Sequence, residues 1–178
     1  MRPLPPPGSL PTPGRPVLVP YDPAWPARFA AYRDELLAAG GAIFAVIHHI
    51  GSTSVPGLGA KPTIDIMPGL RRYEDGYALV EPLEARGYDY LGEYGLPGRH
   101  FFRRMKDSHV HTYVVGQGQW HDQLDFRDYL RAHPWARDAY WALKRELART
   151  HDNVGDYAEA KSDFVADILR RAREPGRT

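Results

Sequence analysis

The segment "HHIGSTSVPGLGAKPTIDIM", from His48 to Met67, decides the fold of this chain. It completes an apolar run, breaks into small polar residues, and resumes as aliphatic residues that alternate with one aspartate. Ile43–Ile50 is rich in β-branched residues and predicts a buried strand. Thr63–Met67 predicts a second strand, with Asp65 and Met67 on the same face because side chains alternate along a strand.

The loop between these strands has the composition of an anion-binding turn. Gly51 permits a sharp change of direction, Ser52, Thr53 and Ser54 offer hydroxyl groups and amides, and Lys61 adds a cation. Backbone amides at such junctions bind phosphate groups. The segment is not a P-loop, since it lacks the spaced glycines followed by Gly-Lys-Ser/Thr. A plain connecting turn is the alternative.

Asp65 favours the binding interpretation. A carboxylate in so apolar a strand must face solvent or a ligand, or be paired, because burying it alone is costly. Such an aspartate can hold a divalent cation against phosphate oxygens. Structural alternatives are a bond to a loop amide or an ion pair with Arg99.

The rest of the sequence predicts an α+β domain with a helical C-terminal third. Apolar residues at helical spacing follow Asp22 and end at Gly40 and Gly41. Further along we expect a helix at Tyr73–Arg86, strands at Tyr88–Tyr94, Arg99–Lys106 and His109–Val115 joined as antiparallel hairpins, and three amphipathic helices after Trp120.

Composition limits the classes of partner. The chain has 178 residues, a net charge of +1, no cysteine, and no apolar run approaching the ~20 residues that span a bilayer. We therefore expect one domain over residues 17–174, a cytoplasmic location, and neither nucleic acid nor membrane as partner. Residues 1–16 are proline-rich and predict an extended, flexible tail.

Several blocks together resemble one known family. They are "YDPAWPARF", "HIGSTSVPGLGAKPTIDI", "GEYGLPGRHFFR", "HVHTYVV", "FRDYLRAHP", "LKRELA" and "YAEAKSDFV". In this order, from about Val17 to Leu169, they closely resemble the GrpB family, also called UPF0157. The resemblance implies the nucleotidyltransferase (DNA polymerase β-like) fold, a mixed β-sheet with flanking helices. Some family members are fused to dephospho-CoA kinase, which hints at a nucleotide-related or CoA-related role.

The resemblance also implies roles for particular residues. Gly51 and Ser52 match the Gly-Ser turn of the nucleotidyltransferases, and Asp65 matches the first carboxylate of their Asp-x-Asp strand. Met67 stands where the second carboxylate is expected, and a thioether is a poor magnesium ligand. Asp65 and Ser52 are the expected catalytic residues, and Met67 argues against two-metal transfer of the usual kind.

Histidines offer another set of metal ligands. The "HVHTYVV" block puts His109 and His111 on one strand face, and with His49 and Asp65 they suggest a site for a transition metal rather than Mg²⁺. Direct contact with a polar substrate and a purely structural role are the alternatives. For the ligand itself we expect phosphate contacts from Gly51, Ser52, Thr53, Lys61, Arg99, Arg103 and Lys161.

These observations leave three functions open. The first is metal-assisted nucleotidyl or phosphoryl transfer, with ATP or another nucleotide as substrate and a phosphorylated small molecule as ligand. The second is a catalytically degenerate module that binds such a ligand without turnover, which Met67 favours. The third is ATP-dependent activation of a carboxylate on the same fold.

Overall fold

Five β-strands form a mixed sheet in a computed structural model that describes residues 15–105 and 107–174. The predicted tail lies almost wholly outside these residues. The strands are β1 (Phe44–Ile50), β2 (Ile64–Leu70), β3 (Asp89–Tyr90), β4 (His100–Arg104) and β5 (Ser108–Val114). The helices are α1 (Trp25–Gly40), α2 (Val80–Glu84), α3 (Trp120–Ala132), α4 (Pro134–Thr150), α5 (Val154–Glu159) and α6 (Ser162–Arg173).

The strand order in the sheet is β1-β2-β5-β4-β3. β2 runs parallel to β5, and every other neighbouring pair is antiparallel. Antiparallel pairing sets Ile50 opposite Asp65, and parallel pairing sets Asp65 opposite His109. Asp65 therefore lies on an inner strand of the sheet, near the end where the loop after β1 returns. The α+β class and the mixed sheet are confirmed.

The two faces of the sheet are covered differently. One face carries the main core, in which Ile64, Ile66 and Phe102 pack beneath α1 and α2 and are fully buried. On the other face Trp120, the first residue of α3, covers Met67. Only part of this second face is covered in this way, and Asp65 lies on the remainder.

The loop after β1 is fastened to the helical third. Arg131 of α3 donates two hydrogen bonds to the carbonyl oxygen of Ser54, at 3.0 and 2.7 Å, and Arg127 donates one to the carbonyl oxygen of His49. Val55 and Leu58 are buried in a second apolar cluster with residues of α3, α4 and α6. The sequence that links β1 to β2 therefore holds the sheet and the C-terminal helices together.

Three predicted elements were wrong in detail. Tyr73–Arg86 is a 3₁₀ segment, Tyr73–Leu79, followed by the short α2, and Tyr88–Tyr94 contributes only the two residues of β3. The last predicted helix is divided at Ala160 and Lys161 into α5 and α6, so four helices follow Trp120 among the described residues. Ala160 and Lys161 form the turn between these two helices. Within the described ranges, no helix combines the length and apolarity needed to cross a membrane.

Replacement of Trp25 tests the packing of α1 on the sheet. Its side chain is fully buried in the main core, so Trp25→Ala should lower the free energy of unfolding by about 3–5 kcal/mol, as measured by urea denaturation. Trp135 is 52% exposed and serves as the matched control, with an expected loss below about 1 kcal/mol. Equal losses for the two variants would contradict this arrangement of the core.

Candidate functional site

A cleft of about 330 Å³ opens between the loop after β1 and the C-terminal helices. Its floor is Gly51, Ser52 and Asp65, and its far wall comes from α3, α4, α5 and α6. Side chains from both walls line it, including Lys61, His109, Gln123, Phe126, Tyr140, Lys144, Tyr157, Lys161 and Leu169. This is the place where the sequence predicts an anion site.

Gly51 and Asp65 are in close contact. Gly51 has φ +68°, and a Cβ atom at this position would lie 2.4 Å from Oδ2 of Asp65. A larger residue therefore fails on two grounds: its backbone would be strained, and its side chain would displace the carboxylate. Ser54 completes the turn by donating a hydrogen bond from Oγ to the carbonyl oxygen of Gly51 at 2.6 Å.

Two histidines hold the carboxylate of Asp65. Nδ1 of His109 and Nε2 of His111 each lie 3.4 Å from Oδ1 of Asp65. Burial alone would raise the pKa of Asp65, but the side-chain hydrogen bonds from His109 and His111 hold it well below its usual range. Asp65 is therefore ionised throughout the physiological range of pH. Burial lowers the pKa of His111, which favours its neutral imidazole.

Three lysines converge on the same cleft. Lys61 comes from the loop, Lys144 from α4, and Lys161 from the break between α5 and α6. Burial and the neighbouring lysines lower the pKa of Lys144 to about 6 and that of Lys161 to about 8. In the part of the chain that the structure describes, no ion pair joins any of the three to a carboxylate. Three basic side chains thus share the cleft with two carboxylates, Asp65 and Asp122, and at neutral pH the lowered pKa leaves Lys144 mostly uncharged.

Lys144 also supports the loop. Its side chain is 2% exposed and donates a hydrogen bond to the carbonyl oxygen of Gly59. Gly59 in turn packs so closely on Trp141 that a Cβ atom would lie 2.5 Å from the indole ring. The amine thus fixes the returning arm of the loop at the edge of the cleft.

Sequence reasoning missed Lys144 and Tyr140. Ala136, Tyr140 and Lys144 are the buried residues of α4, and their spacing of four marks one helix face. The sequence signal for Lys144 was a lysine in line with the apolar residues of one helix face. Lysine is almost never fully buried unless it is paired, so this position indicates a specific role. Tyr140 shares a side-chain hydrogen bond with Ser52, and burial raises its pKa, so its hydroxyl stays protonated.

The structure does not bring His49 to Asp65. His49 pairs with Ile66 in the sheet and therefore points to the opposite face, where its ring stacks on Phe29 at 4.6 Å. Its Nε2 lies 3.0 Å from Oγ1 of Thr53, and burial lowers its pKa to about 4. The prediction that His49 is a metal ligand is therefore corrected. His49 has a structural role instead, and its contact with the hydroxyl of Thr53 is part of that role.

Arg99 is likewise withdrawn from the cleft. It is 4% exposed, and it donates hydrogen bonds to the carbonyl oxygens of Glu93 and Tyr94 and to Nδ1 of His111. Its predicted role as a phosphate clamp is therefore corrected to a contact behind His111. Arg103 pairs with His109 across the strands and so shares the site face of the sheet, but it does not line the cleft.

Met67 is part of the core. Its side chain is fully buried among Ile50, Tyr113 and Trp120. A carboxylate in its place would be buried beneath an indole ring, so the residues present do not fit the paired-carboxylate magnesium site of nucleotidyl transfer.

Comparison with known proteins assigns the chain to a family. The model of the GrpB protein family matches residues 15–171. The chain belongs to the GrpB family. A crystal structure of the conserved protein GrpB from Enterococcus faecalis superposes with a TM-score of 0.82 at 35% identity, covering 88% of this chain and 96% of that one.

Two longer proteins contain a similar region. The UPF0157 protein YqkA of Bacillus subtilis is 37% identical over 157 residues, which is 86% of this chain and 46% of YqkA. A dephospho-CoA kinase of Mycolicibacterium paratuberculosis is 30% identical over 184 residues, which is 87% of this chain and 45% of the kinase. The chain thus spans less than half the length of either relative.

The buried amine of Lys144 predicts a pH-dependent stability. Its folded pKa of about 6 lies below the ordinary 10.5, so the unfolded chain binds more protons between these values. The contribution of Lys144 to the free energy of unfolding should therefore increase as pH rises from about 6 to 10.5, by at most about 1.4 kcal/mol per pH unit. Urea denaturation at several pH values measures it.

Lys144→Met removes this contribution, and Arg149→Met, an exposed charge change on the same helix, is the matched control. The difference in stability between the wild type and Lys144→Met should shift in favour of the wild type as pH rises. A difference that is independent of pH would show that the ammonium is not disfavoured in the fold.

Proposed function

We propose that the cleft binds an anionic small molecule, a nucleotide or another phosphorylated compound, on a fold of the nucleotidyltransferase type. The observation that carries this proposal is the convergence of Lys61, Lys144 and Lys161 on the Gly51–Ser54 turn, with no carboxylate ion pair to any of them among the described residues. The match to a dephospho-CoA kinase gives weak support for a nucleotide-related ligand.

Charge balance is the physical argument. Moving an ammonium group out of water is expensive, and three in one cleft repel each other, as the lowered pKa values of Lys144 and Lys161 record. The chain has only four lysines among its 23 basic side chains, so a cluster of three does not follow from composition. A bound phosphate group would offset the charges of Lys61 and Lys161 and would favour protonation of Lys144.

The shape of the cleft sets the size of the ligand. A volume of about 330 Å³ lies at the lower end of the range for small-molecule sites. Phe126, Val165 and Leu169 give one wall an apolar surface, while the hydroxyl of Ser52 and the turn present polar groups on the other side. This combination suits a phosphate attached to a less polar body.

Transfer chemistry is a second candidate. Ser52 and Asp65 both line the cleft, and their positions after β1 and on β2 agree with the nucleotidyltransferase pattern. In this version Ser52 and the lysines would orient a phosphoryl group and stabilise its developing charge. Because Met67 is buried, the proposal contains no paired-carboxylate magnesium step.

Calorimetry with inorganic phosphate, ATP and dephospho-CoA tests binding. Lys161→Met should weaken binding by about ten- to a hundredfold, the effect of losing a charge-assisted hydrogen bond. Wild-type affinity should fall as pH rises through about 8, where Lys161 loses its charge. Arg149→Met, which removes an exposed charge from α4, should bind as the wild type does. Equal losses in both variants would indicate nonspecific attraction and defeat the proposal.

Asp65→Asn separates the two candidates. Removing this negative charge should leave anion binding unchanged or stronger, since the carboxylate repels a phosphate. If the protein transfers a phosphoryl or nucleotidyl group, the same variant should abolish product formation measured by ³¹P NMR. Binding without product in the wild type would leave the degenerate binding module as the function.

A further inference from the structure

We infer that Asp65, His109 and His111 form a hydrogen-bonded carboxylate cluster rather than a metal centre, and that Arg99 imposes this state. The donor atoms of the three side chains lie within 4.8 Å of one another, a spacing that by itself would suit a metal ion. The contact behind His111 decides against it.

Arg99 fixes the proton of His111. Nη1 of Arg99 lies 3.2 Å from Nδ1 of His111. A guanidinium group only donates hydrogen bonds, so Nδ1 must present its lone pair, and the neutral ring carries its proton on Nε2. Nε2 is the atom that lies 3.4 Å from Oδ1 of Asp65. His111 is thereby set to donate to the carboxylate.

A metal would require the opposite tautomer. To bind a cation through Nε2, His111 would have to hold its proton on Nδ1, where the N–H would meet the N–H of Arg99. Metal-bound histidines normally donate their second N–H to a carboxylate, a carbonyl or water. Here the group next to Nδ1 is the guanidinium of Arg99, which is itself a donor. Metal binding would therefore leave the Nδ1–H of His111 facing an N–H of Arg99, with no acceptor between them, in a buried position.

Arg99 is not free to turn away. Its Nε donates to the carbonyl oxygen of Glu93 at 3.1 Å and its Nη2 to that of Tyr94 at 2.8 Å, both in the hairpin that precedes β4. Its guanidinium carbon also lies 4.4 Å from the ring centre of Phe101. The hairpin therefore aims the donor at His111, and Arg99 acts as a positioning residue for Asp65.

Nitrogen NMR of the histidine rings in the full-length wild type tests the tautomer directly. We expect His111 to be protonated at Nε2 and not at Nδ1. His100 should show the same pattern, because its Nε2 faces the carbonyl oxygen of Tyr73. His133 should show the reverse, since its Nδ1 faces the carbonyl oxygen of Tyr129. An Nδ1-protonated His111 would overturn the inference.

Metal titration gives an independent readout. We expect calorimetry with Zn²⁺, Mn²⁺ and Mg²⁺ to show no stoichiometric binding at this site. Binding at the site would be recognised by its loss in Asp65→Asn or His111→Ala and its retention in His121→Ala, in which an exposed histidine is removed as a control. Stoichiometric binding that depends on Asp65 would overturn the inference, whichever histidine contributes. No phosphorylated ligand is used, so this result and the proposed anion binding can fail separately.

Arg99→Gln should create the metal site. The carboxamide oxygen of glutamine can accept an Nδ1–H bond, which releases the Nε2 lone pair, and we expect Zn²⁺ affinity to rise at least about tenfold. Circular dichroism checks that the variant folds. A folded variant without this gain would refute the role of Arg99, and if the variant does not fold, the wild-type spectrum and titration still decide.

Discussion

The close approach of Gly51 to Asp65 is the constraint on which the site depends. Because no side chain separates them, the loop after β1 can lie directly on the carboxylate of β2. That position returns the loop across the end of the sheet, where Arg127 and Arg131 fasten it to α3 and Lys144 fastens it to α4. The cleft is the space left between the fastened loop and the helices.

The carboxylate and the lysines of the cleft have different surroundings, and the fold determines this difference. Asp65 is supplied with hydrogen bonds by two histidines on the strand that runs parallel to its own. The lysines come from three other elements and meet only because the helical third folds back over the loop. The sheet thus supplies the hydrogen bonds of Asp65, whereas Lys144 supports the loop, and Lys61 and Lys161 make no carboxylate ion pair among the described residues.

The hairpin before β4 positions the carboxylate of Asp65 through Arg99 and His111. Two of its carbonyl oxygens hold Arg99, Arg99 orients the ring of His111, and His111 orients Oδ1 of Asp65. The carboxylate is therefore positioned at Oδ1 by this chain of donors, while the absence of a side chain on Gly51 leaves room for Oδ2. Sequence reasoning named Arg99, His111 and Asp65 but could not order them, because a donor-only group behind a histidine is visible only in three dimensions.

The sequence by itself determined the α+β class, the strands β1 and β2, the glycine-serine turn and the candidate Asp65, because these depend on local periodicity and on the cost of burying a charge. Only the tertiary structure decided which histidine faces Asp65, since the face of His49 depends on its pairing with Ile66 rather than on its own alternation. It also decided the burial of Met67 beneath Trp120 and the gathering of three lysines far apart in the chain. Pairing register and long-range packing leave no local trace in sequence, whereas a strand or a turn does.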